Sequence, residues 1–163
     1  MKKFGYELVE GLSYLHANSI IYSDLKPSNI LINEYNILKL CDFGLSKKIA
    51  DLTQPDNDPS KPKAGTPYYM APELFSDTGM HSFYSDFWSL GCLLFELATG
   101  KPPFCTNSLK DLITMIIESD FQRVDTFSRD FNDLLGKLLE KDPIKRINWD
   151  ELKSHPWWTT GPR

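Results

Sequence analysis

Over residues 3–16, Phe4, Leu8, Leu12 and Leu15 recur every three to four positions. Glu7 and Glu10 fall outside that stripe, so the spacing predicts an amphipathic helix. His16 at its end is expected to be a hydrogen-bonded packing residue rather than a catalyst. Ile20-Ile21-Tyr22 predicts a short strand. Two brief apolar runs, Ile30–Ile32 and Ile37–Leu40, flank the polar turn residues Asn33, Glu34, Tyr35 and Asn36 and predict a β-hairpin. Pro55, Pro59 and Pro62 stand among polar residues and predict an exposed, mobile loop.

From about Ser82 to Thr99 the pattern changes. Phe87, Trp88, Leu90, Leu93, Leu94, Phe95 and Leu97 leave hardly a polar face, which predicts a helix buried on every side. The run Thr99–Phe104, TGKPPF, stops it. Two amphipathic stripes follow, Leu109, Leu112, Ile113, Ile116 and Ile117, then Phe131, Leu134, Leu135, Leu138 and Leu139. Asn148 with Glu151 forms a capping box that opens a last short helix. Trp149, Trp157 and Trp158 read as packing residues. The fold class expected is mainly α with a small β-hairpin, in one domain.

Composition narrows the function classes. At 163 residues with 41% hydrophobic and 13% aromatic content, the chain can build an ordinary packed core. A net charge of −4 argues against nucleic acid as a partner. Cys41, Cys92 and Cys105 are odd in number and show no C-x-x-C spacing, which disfavours a disulfide framework or a zinc site. The longest apolar run, Leu90 to Phe95, is too short to span a bilayer, and Glu7 and Glu10 interrupt any leader after Met1-Lys2-Lys3. A soluble cytoplasmic protein with no membrane partner is expected.

The candidate chemistry lies in one stretch, Tyr22 to Gly44, YSDLKPSNILINEYNILKLCDFG. Asp24 and Asn29 are five apart with Lys26 between them, and Asp42 opens an Asp-Phe-Gly. A hairpin between Asn29 and Asp42 brings its two ends together. An amide oxygen and a carboxylate are suitable ligands for a hard cation such as Mg²⁺, with phosphate oxygens completing the shell.

This stretch resembles the catalytic and metal-binding loops of eukaryotic protein kinases. The resemblance implies that Asp24 orients the substrate hydroxyl and takes its proton, that Lys26 offsets charge on the γ-phosphate, and that Asn29 and Asp42 hold the magnesium ions. It implies ATP and Mg²⁺ as cofactors, with Asn29, Leu31 and Asp42 at the nucleotide. Asp24-x-Lys26 is similar to the serine/threonine version of the loop. The catalytic loop would be residues 22–29, the metal-binding loop 42–44 and the activation segment 42–73, within a domain spanning 1–163. Thr66, in the GTPYYMAPE run, would bond Asp24 and Lys26 and help position the substrate. Thr53 and Ser60 are further hydroxyls in the segment. Tyr22, Phe43, Glu73, Asp86 and Arg146 would be structural: Tyr22 packs on Phe43, Glu73 pairs with Arg146, and Asp86 bonds the catalytic-loop backbone, with a plain helix cap as the alternative for Asp86.

The sequence departs from that pattern in the missing small-lobe motifs and at Tyr22-Ser23, where the family has His-Arg. It contains no G-x-G-x-x-G and no V-A-I-K, so the resemblance extends to the large, C-terminal lobe of a kinase with the N-terminal lobe missing. Ser23 stands where the family has arginine, which removes a cation that gathers a phosphorylated segment. The runs IIYSDLKPSNIL, GTPYYMAPEL and HSFYSDFWSLGC are most similar to the unc-51-like and Fused group, and within it to the RUNKEL-like branch. That branch implies a protein substrate or docking partner and a cytoskeletal, microtubule association. Two functions follow as expectations: a serine/threonine kinase, or a non-catalytic interaction module that keeps the lobe as a docking surface.

Overall fold

The computed structural model describes residues 1–50 and 67–160. Thr53, Ser60 and Thr66, and the loop expected around Pro55, Pro59 and Pro62, lie outside the described residues.

Helix α1, Lys2–Ala17, buries Gly5, Leu8, Val9, Leu12, Leu15 and His16. Its buried face is therefore rotated slightly from the leucine stripe toward Gly5, Val9 and His16, and Phe4 is only half-buried. Glu7, expected to face solvent, accepts the Leu38 backbone N–H at 2.9 Å, and Lys3 donates to the Asn36 carbonyl at 2.8 Å. These two bonds fasten the helix to the hairpin beside it.

Strand β1, Ile20–Ile21, leads into the candidate site. Strands β2, Ile30–Ile32, and β3, Leu38–Leu40, pair antiparallel with Ile30 opposite Leu40 and Leu31 opposite Lys39. Their turn is closed by Asn33, whose side-chain oxygen accepts from the Tyr35 and Ile37 backbone. Asn36 takes a left-handed φ of 58°, which asparagine tolerates better than most residues. Strand β4, Lys47–Lys48, pairs with β1. Two adjacent lysines carry no strand signal, and their pairing is set by the partner strand.

Helix α2, Phe83–Thr99, is the centre of the molecule. Ser82 caps it reciprocally with Ser85, and Gly100 ends it at a left-handed φ of 85°. Its two sides feed two cores. Phe87, Leu90, Leu93, Leu94 and Phe95 join α1, helix α4 (Arg129–Leu138), helix α5 (Trp149–Ser154) and helix α6 (Pro156–Thr159) in one cluster. Trp88 and Cys92 join Met70, Ala71, Leu74, Phe104, Leu112, Ile116 and Leu139 in the other. Fully burying each large apolar side chain contributes roughly 1.5–3 kcal/mol, so α2 supplies much of the lobe's cohesion. Burial is not complete all round: Leu97, near the C-terminal end, is half-exposed. Gly91 lets α4 approach closely, because a Cβ there would lie 2.9 Å from the Leu138 Cβ.

Helix α3, Leu109–Glu118, buries only Leu112 and Ile116 of its expected stripe, and Leu109 and Ile117 face outward. Asn148 and Glu151 form the expected capping box at the start of α5. The late tryptophans pack as expected: Trp157 stacks on Phe131, Trp149 meets Phe87 edge-on, and Trp158 donates to the Leu152 carbonyl. The architecture is mainly α with a small β-hairpin. Among the described residues no helix is long and apolar enough to cross a membrane.

Candidate active site

The backbone at Tyr22 and Ser23 is held from below by one carboxylate. Asp86, in the first turn of α2, is 1% exposed and accepts the Tyr22 N–H on Oδ2 at 2.8 Å and the Ser23 N–H on Oδ1 at 2.9 Å. The helix is capped by Ser82 instead, so Asp86 is not the plain cap that was the alternative. A buried carboxylate needs several donors, and two consecutive backbone amides supply them. His16 Nε2 adds a third at 2.8 Å to Oδ2. Ser23 itself sits at φ 70°, with its hydroxyl buried and unbonded.

Asp24 follows that kink and is largely buried. Its Oδ2 accepts from the Asn29 amide at 2.9 Å, and Lys26 Nζ lies 3.5 Å from Oδ1. The Asn29 amide also donates to the Asp24 backbone carbonyl at 2.8 Å. A 3-10 turn, Pro27–Asn29, folds the chain back so that these three side chains share one place. The structure brings Asp24, Lys26 and Asn29 together.

Asp42 comes to the same end of the hairpin through the backbone: Cys41 N–H donates to the Asn29 carbonyl at 3.0 Å. Asp42 is exposed, takes a left-handed φ of 57° and accepts the Gly44 N–H at 3.2 Å. Tyr22 is fully buried, donates its hydroxyl to the Cys41 carbonyl, and meets Phe43 edge-on with centroids 5.4 Å apart. Burial first, then the acidic side chains around it, Cys41 ahead of Asp24, Asp42 and Asp86, pushes the Tyr22 phenol well above its ordinary value. It stays a neutral donor. Leu31 and Phe43 both lie on the open side, 56% and 50% exposed. Ser46 donates to the Tyr22 carbonyl at 3.1 Å, tying the stretch after Gly44 back to the loop.

The donor set fits a magnesium–nucleotide complex. Among the described residues no three His, Cys, Asp or Glu side chains converge closely enough to hold a metal by themselves. Asn29 and Asp42 offer two oxygens of the kind Mg²⁺ accepts when phosphate and water supply the rest. Because Asn29 directs its amide nitrogen at Asp24, its side-chain oxygen is the atom left for a cation.

On the far side of Asp24, the turn Pro67–Tyr69 and Met70 lie against α2. Ser89 donates to the Tyr69 carbonyl at 2.7 Å, and the Tyr69 hydroxyl donates to Glu96 at 2.5 Å. Burial, then the Glu96 bond, raises the Tyr69 phenol. Glu73, in the next 3-10 turn Pro72–Phe75, meets Arg146. The Tyr69–Glu96 and His16–Asp86 contacts were not expected from sequence. They join residues 27 and 70 apart, beyond the reach of any local spacing. His16 did carry one signal, since it follows Leu12 by four residues, and a polar group on a buried stripe requires a partner.

Comparison with known proteins agrees with this geometry. The model of the protein kinase domain matches residues 1–158. The chain belongs to the protein kinase family. It is 50% identical over 154 residues to the serine/threonine-protein kinase RUNKEL of Arabidopsis thaliana, covering 94% of this chain and 11% of that protein. It is 42% identical over 150 residues to the serine/threonine-protein kinase fused of Drosophila melanogaster, covering 92% and 18%. With serine/threonine-protein kinase 36 of Mus musculus the identity is 39% over 151 residues, covering 93% and 11%. The chain thus spans between about a tenth and a fifth of the length of these relatives, and its similarity is to the Fused and RUNKEL-like branch.

Proposed function

We propose that this chain carries the catalytic and metal-binding loops of a serine/threonine protein kinase, which transfers the γ-phosphate of ATP to a hydroxyl of a protein substrate. The observation that carries the reading is the Asp24–Lys26–Asn29 cluster, one carboxylate bonded on one oxygen by an amide and approached on the other by an ammonium. Phosphoryl transfer asks mainly for positioning and charge neutralisation. Asp24 orients the attacking hydroxyl and accepts its proton. Lys26 holds positive charge at that carboxylate and offsets charge arriving with the phosphate. Asn29 and Asp42 hold Mg²⁺, which when bound screens the phosphate oxygens. Thr66 helps position the substrate, and Tyr22 with Phe43 keeps Asp42 in place. The proposed location is cytoplasmic, with proteins as substrates and partners.

A second reading has one observation in its favour. The face bearing Leu31, Phe43 and Asp42 is open, and the 163 residues hold no glycine-rich loop to cover phosphates. By themselves they would serve as a docking module, with the microtubule association implied by the RUNKEL-like resemblance as the proposed setting. Calorimetry on the 163-residue chain with Mg-ATP, alongside a transfer assay on the longest natural form of the protein, separates the two. Weak binding by the chain with transfer by the longer form supports the kinase. No transfer by either, with protein partners retained, supports the module.

A further inference from the structure

We infer that Ser46 is a positioning residue of this site: through the Tyr22 carbonyl, its hydroxyl fixes the Asp42–Gly44 turn against the peptide that precedes Asp24. The inference rests on the kinase reading for its consequence and on strand register and hydrogen bonds for its geometry.

Strands β1 and β4 pair with Ile20 opposite Lys48 and Ile21 opposite Lys47. In an antiparallel ladder, hydrogen-bonded and non-hydrogen-bonded steps alternate. Ile49 donates to the Ser19 carbonyl at 2.9 Å, so the next bonded step is Ile21 with Lys47. Beyond it Tyr22 falls opposite Ser46 at a step where the backbones come close and the ladder supplies no bond. The Ser46 N–H turns back to the Phe43 carbonyl at 3.1 Å. Tyr22 is 0% exposed, so its carbonyl has no water to turn to. A buried carbonyl left unpaired is costly. The Ser46 hydroxyl meets that need, donating to the Tyr22 carbonyl at 3.1 Å.

The bond acts on two strained positions at once. Asp42 takes a left-handed φ of 57° and Ser23 one of 70°, and non-glycine residues keep such angles where their surroundings over-determine them. Tyr22 meets the chain on both sides of the Asp42–Gly44 turn. Its phenol donates to the Cys41 carbonyl ahead of the turn, and its carbonyl accepts from Ser46 behind it. The Phe43 ring meets Tyr22 edge-on between the two. The same carbonyl belongs to the peptide that joins Tyr22 to Ser23, so its direction bears on where Asp24 leaves the loop. Without the hydroxyl, the tie on the trailing side falls back to the Ile21–Lys47 pair, one residue further from each aspartate. Ser46 thus links the separation of Asp24 and Asp42 to a single side-chain donor.

The test uses two variants of the 163-residue chain. Ser46→Ala removes the donor, while Ser46→Thr keeps a hydroxyl. Amide hydrogen exchange is followed by NMR at Ser23 and at position 46, with α4 amides as the internal reference, together with the carbonyl carbon shift of Tyr22. In Ser46→Ala, exchange at both amides is expected to rise about tenfold relative to α4, as a buried carbonyl left unpaired would give. The Tyr22 carbonyl carbon should move upfield as its hydrogen bond is lost. Ser46→Thr is expected to recover most of the protection and the shift. Unchanged exchange at Ser23 in Ser46→Ala, a rise at position 46 alone, or an equal rise in α4 would overturn the inference. In the longest natural form, Ser46→Ala should lower kcat and raise the Mg²⁺ concentration needed for half-maximal transfer, with Ser46→Thr close to wild type. An unchanged Mg²⁺ requirement in an active protein would likewise overturn it. A wild-type protein without transfer defeats the kinase reading, and the amide and carbonyl measurements still decide whether Ser46 holds the turn.

Discussion

Arg146 grips Glu73 with both arms of its guanidinium, Nη1 to Oε1 at 2.8 Å and Nη2 to Oε2 at 2.9 Å, across 73 residues of sequence. The arginine side chain is 0% exposed. Its remaining donors reach backbone carbonyls, Nε to Glu140 at 2.8 Å and Nη1 to Tyr84 at 2.7 Å. Every part of the buried cation is therefore occupied. The pair anchors the Pro72–Phe75 turn to the start of α2 and to the loop before α5.

Removing one partner of such a pair typically costs about 3–5 kcal/mol, because the other is left buried and unpaired. Arg146→Ala is expected to lower the stability of the chain by that amount in urea unfolding. Arg146→Lys should recover little, since lysine lacks the planar fork that matches a carboxylate. Unfolding curves of Arg146→Ala superimposed on wild type would refute this.

Asp24→Asn should abolish the proposed transfer while leaving nucleotide binding nearly intact. Loss of a general base lowers rates by about 10²–10⁴-fold. Asparagine keeps an oxygen for the Asn29 amide, so the loop is expected to hold its shape. Equal phosphate incorporation by the variant and the wild type, in the longest natural form, would remove Asp24 from the role.

Gly91→Ala tests the packing of α2 on α4. Alanine is favoured over glycine in a helix by about 1 kcal/mol, so propensity alone predicts stabilisation. The added methyl would lie 2.9 Å from the Leu138 Cβ and from Leu139 Cδ2. Overpacking of this kind costs typically 1–3 kcal/mol. A net loss of stability in thermal unfolding is expected, and a gain would show that α4 moves aside freely.

Asp133 gives a pH dependence. Burial alone would raise its carboxyl, but the His155 bond at 3.0 Å and the Lys137 charge outweigh it, and the group titrates below its ordinary value. A carboxylate depressed in the folded state contributes stability above its unfolded value, near about 4, and loses it as the pH falls through the folded value. The contribution is small, because Asp133 is half-exposed. The melting temperature of Asp133→Asn should therefore differ most from wild type at neutral pH and converge on it in acid. A difference that widens below about pH 4 would contradict the sign.

Helices and hairpin were legible where a period was long and the buried face broad. The α4 stripe, the capping box at Asn148 and the crowded α2 each carry a local reason for their structure. What stayed hidden was set across the chain. The strand at Lys47–Lys48 exists because Ile20–Ile21 lies beside it. Leu109 and Ile117 face outward because the second core meets α3 along Leu112 and Ile116. At the candidate site, Asp24, Lys26 and Asn29 could be read from spacing, because one short loop carries all three. The bond between His16 and Asp86 joins helices across 70 residues, and the sequence signals that His16 needs a partner without showing which one.

The reach of the Arg146 pair bears on how the molecule is made. Protein synthesis proceeds at roughly 5–20 residues per second, so about 4–15 s separate the appearance of Glu73 from that of Arg146. For that interval the Pro72–Phe75 turn has a carboxylate but no guanidinium to close on. Met70, Ala71 and Leu74, the apolar residues beside it, wait for Phe104, Leu112 and Ile116 as well. The nascent chain can assemble α1, the hairpin and α2 around Asp86 well before the second core exists. A ribosome-stalled chain ending short of Arg146 would carry Asp86 beside the Tyr22 and Ser23 amides and an unfastened Pro72–Phe75 turn.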